Sequence, residues 1–422
     1  MREASPLLGL GWDSSSVQQQ QYNSTTPPAA GPGKRESTDV RRPDTVVASP
    51  RIVALDLMRG LTVAFMIIVD NPGDPQSVWP QLDHAPWDGW TITDLVFPFF
   101  LFIMGVSIAI VADRDRARSV RKSLAWIRIL RRTILLFAIG VGINVLSHWL
   151  GNVSHNPFNA TLRVLGVLQR LALCYILICA VAELPLLFQS IVMACVLLVY
   201  CMLMYVFDVP GCGRAQLTEF CNTESYFDYK MFPTLMSYLG WSVDPEGLLT
   251  TLTACMPTWA GYLTGRSLSL KREPQERVNE WTMIGQTLVA LGYLLSVGVP
   301  FNKRLFSPSF VLLTVGMALI VQAFLMYIVD IRKWTRLWTF PFISMGMNPL
   351  IMFVGMDVLA VLLLRLGPSG TSGSSFWNIF YSNVFATWLP SSFGSFLCAV
   401  VYCILWLLLA MLMHRKKVYI RL

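Results

Sequence analysis

The sequence predicts an all-α, polytopic membrane bundle of about ten transmembrane helices with a lumenal loop region. Three observations carry that prediction. Of 422 residues, 54% are hydrophobic and only 14% charged, whereas soluble domains carry about 25% charged side chains. Mean hydropathy is +0.53. The apolar residues also gather into runs long enough to cross a bilayer.

Residues 1–51 stand apart, being rich in Ser, Gln, Pro and Arg and poor in large apolar side chains. They read as a disordered cytosolic tail. Residues 52–422 form the transmembrane domain, with spans read at 53–70, 91–112, 126–149, 163–183, 187–207, 247–268, 280–298, 308–330, 340–364 and 392–413. The connecting lumenal loops fall at about 71–90, 150–162, 208–246, 299–307 and 365–391. Within the last, Phe376 to Leu389 is aromatic but short and is followed by Pro390, so it reads as an interfacial helix.

An even number of spans puts both termini on one side, and basic residues choose the side. With cytosolic termini, 25 Lys and Arg lie on the cytosolic face and six on the lumenal one, while Arg59 and Arg170 lie inside spans. The net charge of +8 is therefore a topology signal and not a nucleic-acid footprint. The sequons at Asn152 and Asn159 fall in a lumenal loop and are expected to be glycosylated. Of nine cysteines, Cys212 and Cys221 lie clearly outside the spans, where an oxidising lumen favours a disulfide. No cleavable signal peptide is expected. The tail carries Glu3-Ala4-Ser5-Pro6-Leu7-Leu8, similar to the acidic dileucine signals of endosomal and lysosomal proteins, and such a short pattern also arises by chance.

Ionisable groups inside spans are costly, and each is a site hypothesis. Asp56 and Arg59, three apart on the first span, make either a structural ion pair or part of a cofactor route. Gln169 and Arg170 sit too deep to reach the surface easily, so Arg170 needs an anionic partner, protein or ligand. Gly346-Met347-Asn348-Pro349 predicts a kinked ninth span, with Asn348 and freed carbonyls facing protein or a wet cavity.

The densest polar cluster is the hairpin between the first two spans. It runs from Asp70-Asn71-Pro72-Gly73-Asp74 through Asp83-His84-Ala85-Pro86-Trp87-Asp88-Gly89 to Thr93-Asp94. His exchanges protons near neutral pH, and His84 is the one His flanked by carboxylates. A metal site is the rival, but no second His lies at i+3 or i+4 and the carboxylates are scattered, so no metal is expected. No nucleotide-binding glycine loop and no nucleophile elbow occur.

These motifs resemble the heparan-α-glucosaminide N-acetyltransferases, lysosomal membrane enzymes, from about Leu55 to Leu422. The resemblance rests on Ala54-Leu55-Asp56-Leu57-Met58-Arg59-Gly60, on His84 to Pro98 (HAPWDGWTITDLVFP) and on Leu162 to Leu171 (LRVLGVLQRL). It extends through Asp244-Pro245-Glu246-Gly247, Phe301-Asn302-Lys303 and Gly346-Met347-Asn348. The family moves acetyl from cytosolic acetyl-CoA to the terminal glucosamine of heparan sulfate in the lysosomal lumen. The resemblance implies acetyl-CoA as donor, an amino sugar or glycosaminoglycan end as acceptor, a lysosomal or endosomal membrane, and His84 as the catalytic residue. The Asn that ends the family's first span maps to Asn71. The family's His-acidic pair after the ninth-span motif is Met356-Asp357 here, so any role of that His is missing. The lumenal N-terminal domain and extra first span of animal members are not expected in this chain.

The chemistry agrees with that reading. A polyanionic donor entering from the cytosol suits the basic face of Arg128, Arg131 and Arg132, which positive-inside anchoring also explains. Arg59 and Arg170, with Asp56, Gln169 and Asn348, are the candidates to escort the cofactor inward. A protonated amine is no nucleophile, so His84 acts as base or as transient acetyl carrier. Asn71 or Asn348 are candidate oxyanion donors, Asp94 joins His84 in the catalytic set, and Asp74, Asp83 and Asp88 could attract the cationic amine. A homodimer remains open, as do two alternatives: a membrane acyltransferase for another lumenal amine or sugar, and a proton-coupled transporter.

Overall fold

A computed structural model describes residues 52–151, 163–231, 245–270, 272–335, 337–367 and 375–420. The N-terminal tail with its dileucine-like motif and the sequons at Asn152 and Asn159 lie outside these residues.

Every run read as a span is helical. The helices are α1 (Val53–Asp70), α2 (Val96–Ala117), α3 (Lys122–Gly151), α4 (Val167–Val181), α5 (Leu186–Val206), α7 (Thr250–Leu268), α8 (Pro274–Ser296), α9 (Pro308–Leu325), the pair α10 (Thr339–Met347) and α11 (Pro349–Arg365), and α13 (Ser391–Arg415). Two short helices lie in loops, α6 (Thr223–Met231) and α12 (Phe376–Val384), the latter inside the segment read as interfacial. Among the described residues there is no strand, only an isolated bridge between Val209 and Gly213.

The all-α membrane bundle is therefore the observed fold, but the count of ten spans is not reached on length and composition alone. Among the described residues, five segments are long and apolar enough to cross a membrane: Ile92–Ala117, Lys122–Leu150, Leu186–Val206, Pro308–Ile331 and Ser391–Arg415. The bent pair α10 and α11 would make a sixth. The others fall short for physical reasons. α4 has only 15 residues, α1 carries Asp56, Arg59 and Asp70, and α7 buries Thr250, Thr251, Thr253, Thr258 and Thr264 against protein.

The ninth span is not a kinked helix but a broken one. At Asn348, which leaves the helical region (φ −128°, ψ 48°), the axis turns by 87°. Pro349 has no N–H to continue the ladder and is well placed as the first residue of α11. α10 then lies against α1 at backbone contact distance. A Cβ on Gly60 would overlap the Phe342 carbonyl, and one on Gly346 would overlap the Asp56 carbonyl. α2 and α7 meet in the same way, Gly105 against the Thr258 carbonyl and Gly261 against the Phe102 carbonyl. Small residues at crossings are how helices pack closely where lipid leaves little hydrophobic drive between them.

This packing defines two ends of the bundle. α1 starts at the end where α10 and the C-terminal segment meet, and finishes at Asp70, where the hairpin to α2 begins. The hairpin is strapped down by α12 and α13. Trp377 Nε1 donates to the carbonyls of Pro72 (3.1 Å) and Gly73 (3.2 Å), and Gly73 N donates to the Ser395 carbonyl at 3.1 Å.

The glycine crossing gives a stability prediction. Gly60→Val or Gly346→Val should cost at least the about 1–3 kcal/mol typical of overpacking, read as a lower melting temperature in detergent, whereas Gly142→Val, which meets open space, should leave it unchanged.

Candidate active site

The hairpin delivers His84 to a carboxylate that is closed to solvent. His84 Nδ1 lies 2.8 Å from Asp94 Oδ1. The His84 side chain is 48% exposed and that of Asp94 1%, so the ring has one face in water and one nitrogen anchored in protein. Local sequence explains the anchor. Thr91 and Asp94 form a capping box on the single 3-10 turn Ile92–Leu95 that leads into α2. Asp94 Oδ2 accepts from Thr91 N (3.0 Å), Thr91 Oγ1 (3.2 Å) and Ala85 N (3.2 Å). Its other oxygen is left for the imidazole. An ionised carboxylate only accepts, so the proton on that contact sits on Nδ1, and Nε2 carries the free lone pair when the ring is neutral.

A third group, which the span-by-span reading passed over, completes the cluster. Lys303 Nζ lies 3.3 Å from Asp94 Oδ1, 3.0 Å from His84 Nδ1 and 3.5 Å from His84 Nε2. The only signal for it in the sequence was its place in the Phe301-Asn302-Lys303 motif. The two loops are stitched together by Gly89 N to the Phe301 carbonyl (2.7 Å) and Asn302 Nδ2 to Asp88 Oδ1 (3.4 Å). Trp87 Nε1 donates to the Leu217 carbonyl at 2.8 Å, tying in the loop whose Cys212 and Cys221 are joined by a disulfide.

Around this cluster lies a ring of further charges. Asp70 is exposed yet within electrostatic range of His84, Lys303 and Glu246, and Asp357 is within range of Asp70. Glu246 pairs with Arg163. Burial would push the Glu246 carboxyl up, but Arg163, Arg170 and Lys303 outweigh it and hold it below the usual carboxylate value.

Arg170 bonds neutral oxygens of the protein directly and has Glu246 within electrostatic range. It is 2% exposed and donates to the Gly247 carbonyl at 3.1 Å and to Thr250 Oγ1. Thr250 Oγ1 in turn donates to Glu224 Oε1 at 2.7 Å. The guanidinium lies 5.8 Å from both the Phe97 and Phe306 rings. Arg170 is the fourth residue of α4, at the His84 end, so it is a packing hub and not a deep relay from the far side. Its neighbour Gln169 is 1% exposed and wedged against Gly140 and Gly166, where a Cβ would strike its amide.

The remaining candidates are not at this site. Arg59 bonds Asp56 (3.2 Å), Ser107 Oγ (2.8 Å) and the Gly346 carbonyl (3.4 Å), near the start of α1. Asn348 is 1% exposed and is spent on the C-terminal segment, donating to the Val418 carbonyl (2.9 Å) and accepting from Ile420 N (3.1 Å). It is therefore not an oxyanion donor beside His84. Asn71 is at the right end, but its Nδ2 donates to the Ile67 carbonyl (3.0 Å) and touches Met356 Sδ (3.4 Å), with no contact to His84. The set Asp56, Arg59, Gln169, Arg170 and Asn348 thus divides between opposite ends of the bundle. Among the described residues no group of three or more His, Cys, Asp or Glu could hold a metal.

Fold and site together define an α-helical membrane bundle with an imidazole–carboxylate–ammonium cluster at one end. Residues 51–240 match the model of the family described as heparan-alpha-glucosaminide N-acetyltransferase, catalytic. The human heparan-alpha-glucosaminide N-acetyltransferase is 28% identical over 364 residues, covering 73% of this chain and 53% of that protein. The mouse protein of the same name is 27% identical over 363 residues, covering 73% and 54%. The chain spans about half the length of these curated relatives, and the resemblance drawn from its motifs is borne out.

The Glu246 pair gives a pH prediction. A carboxyl depressed in the fold stabilises above its unfolded value, and that stabilisation is lost as pH falls through the folded value. The melting-temperature gap between wild type and Glu246→Gln should hold from neutral pH down to about pH 5 and close only in stronger acid.

Proposed function

We propose that this protein is a transmembrane N-acetyltransferase, moving acetyl from cytosolic acetyl-CoA to the amine of a terminal lumenal glucosamine of the heparan sulfate type. It would work in a lysosomal or endosomal membrane with both termini cytosolic. The His84–Asp94 contact carries the reading, and the two curated relatives support it through their names.

Asp94 fixes the imidazole with Nδ1–H inward, so Nε2 is the atom available for chemistry. As the sugar amine attacks the acetyl carbonyl, Nε2 takes the amine proton and returns it to the departing thiolate. The nitrogen–carbon bond forms, the carbon–sulfur bond breaks, and His84 ends as it began. The exposed hairpin carboxylates Asp83 and Asp88 supply negative potential that draws an amino sugar to the ring. The other end of the bundle suits a donor with several phosphates. There Arg128 and Arg131 are exposed, Arg128 bonding Asp115 at 2.9 Å and the Leu124 carbonyl at 3.4 Å, and Arg132 lies 4.7 Å from the Tyr175 ring centre.

The test is reconstitution in vesicles with acetyl-CoA on the cytosolic face and glucosamine inside, followed by assay for N-acetylglucosamine. His84→Ala should abolish product, and Asp94→Asn should lower kcat about 10²–10⁴-fold, the range for losing general acid–base catalysis. Glucosamine that crosses unmodified, or acetylation that survives His84→Ala, overturns the proposal.

A further inference from the structure

We propose that Lys303 is a second catalytic group, the cation that stabilises the tetrahedral oxyanion formed when the acetyl thioester is attacked beside His84. This rests on the acetyltransferase reading above and supplies the oxyanion donor that Asn71 and Asn348, whose amides are engaged elsewhere, do not.

The chemistry demands such a group. Attack on the carbonyl carbon drives the π electron pair onto oxygen, and that charge lasts until the C=O bond re-forms and the thiolate leaves. A donor aimed at that oxygen in a partly dry site is commonly the largest single contribution to acyl transfer. Lys303 lies where the donor has to be. Its ammonium flanks the ring, within 3.0 Å of one nitrogen and 3.5 Å of the other. An acyl carbon brought to the amine at Nε2 therefore carries its oxygen within hydrogen-bond reach of Nζ.

Lys303 also has donors to spare. With Nδ1 protonated toward Asp94, that nitrogen has no lone pair to accept from Lys303. The ammonium is left with a single carboxylate partner among the described residues, Asp94 at 3.3 Å. An ammonium has three N–H groups, so donors remain on the side facing Nε2. Lys303 is 22% exposed at its side chain, reachable by substrate yet largely withdrawn from water.

The loop is built to hold it there. Asn302 N donates to Ser307 Oγ (3.1 Å), Ser307 Oγ to the Pro300 carbonyl (2.8 Å), and Leu305 N to Asn302 Oδ1 (2.8 Å). Phe306 takes a positive φ of 50°, a conformation that costs a non-glycine residue about 1–3 kcal/mol. It is held by full burial, edge-on against Phe97 and Phe310. Strain kept in place next to a reactive cluster is the pattern of a preorganised site.

The experiment compares wild type with Lys303→Met, Lys303→Gln and Lys303→Arg in the vesicle assay. It adds two readouts that a purely structural role would move: melting temperature and the rate at which diethyl pyrocarbonate modifies His84. Lys303→Met should lower kcat about 10²–10³-fold, the loss typical of one oxyanion donor, with the glucosamine KM within about threefold. Lys303→Arg should recover at least about tenfold of that loss, and His84 modification, measured at a pH alkaline enough for the imidazole to be neutral in every variant, should proceed at the wild-type rate in all three. Lys303→Gln keeps length and polarity and carries the test if the Met variant does not fold. Retention of wild-type kcat without the charge overturns the proposal, as does a loss matched by altered His84 modification. No acetylation by wild type sinks the parent reading instead.

Discussion

Asp94 is the constraint on which the site depends. A carboxylate withdrawn from water is costly unless its oxygens are fully engaged, and this one is engaged from three directions. Its own turn supplies Thr91, the hairpin supplies Ala85 and the His84 ring, and the distant loop supplies Lys303. Satisfying one buried charge thereby brings the ends of the hairpin together and docks the loop before α9. It also fixes which imidazole nitrogen is free. The contacts that stabilise this end of the bundle are the same ones that set the chemistry of His84.

The bundle keeps two charge systems apart. At the His84 end the acidic groups Asp70, Asp94, Glu246 and Asp357 alternate with Lys303, Arg163 and Arg170. At the other end Asp56 and Arg59 brace the crossing of α1 with α10, and Asn348 pins the C-terminal segment beneath the break. The 87° break is needed for that close crossing, because a straight ninth helix could not both lie on Gly60 and continue as α11. The two charge systems thus sit at opposite ends of one bundle, with α1 linking them.

Much of this was legible in the sequence. Hydropathy located the long helices, though not which of them meet the length and composition of a span, and Gly346-Met347-Asn348-Pro349 located the interruption, because apolar runs and proline act locally. His84 stood out because few ionisable groups compete with it. Long-range pairing was not legible. Lys303 is 219 residues from His84, and no local pattern shows that two loops will meet. Arg170 read as a deep cation because α4 was expected to begin at 163; it begins at Val167, which places Arg170 in the first turn among Gly247, Thr250 and Glu224. Asn348 and Asn71 read as free donors because a side chain's commitments to backbone carbonyls leave no trace in residue spacing.

The central claim is that Asp94 holds His84 with its proton on Nδ1 and its lone pair on Nε2. Nitrogen NMR on protein labelled with ¹⁵N-histidine measures this directly, the His84 signal being assigned by its loss in His84→Ala. At a pH where the ring is neutral, the account predicts a pyrrole-type Nδ1 and a bare, pyridine-type Nε2, with the difference between them lost in Asp94→Asn. A neutral ring protonated on Nε2 in the wild-type protein would contradict it.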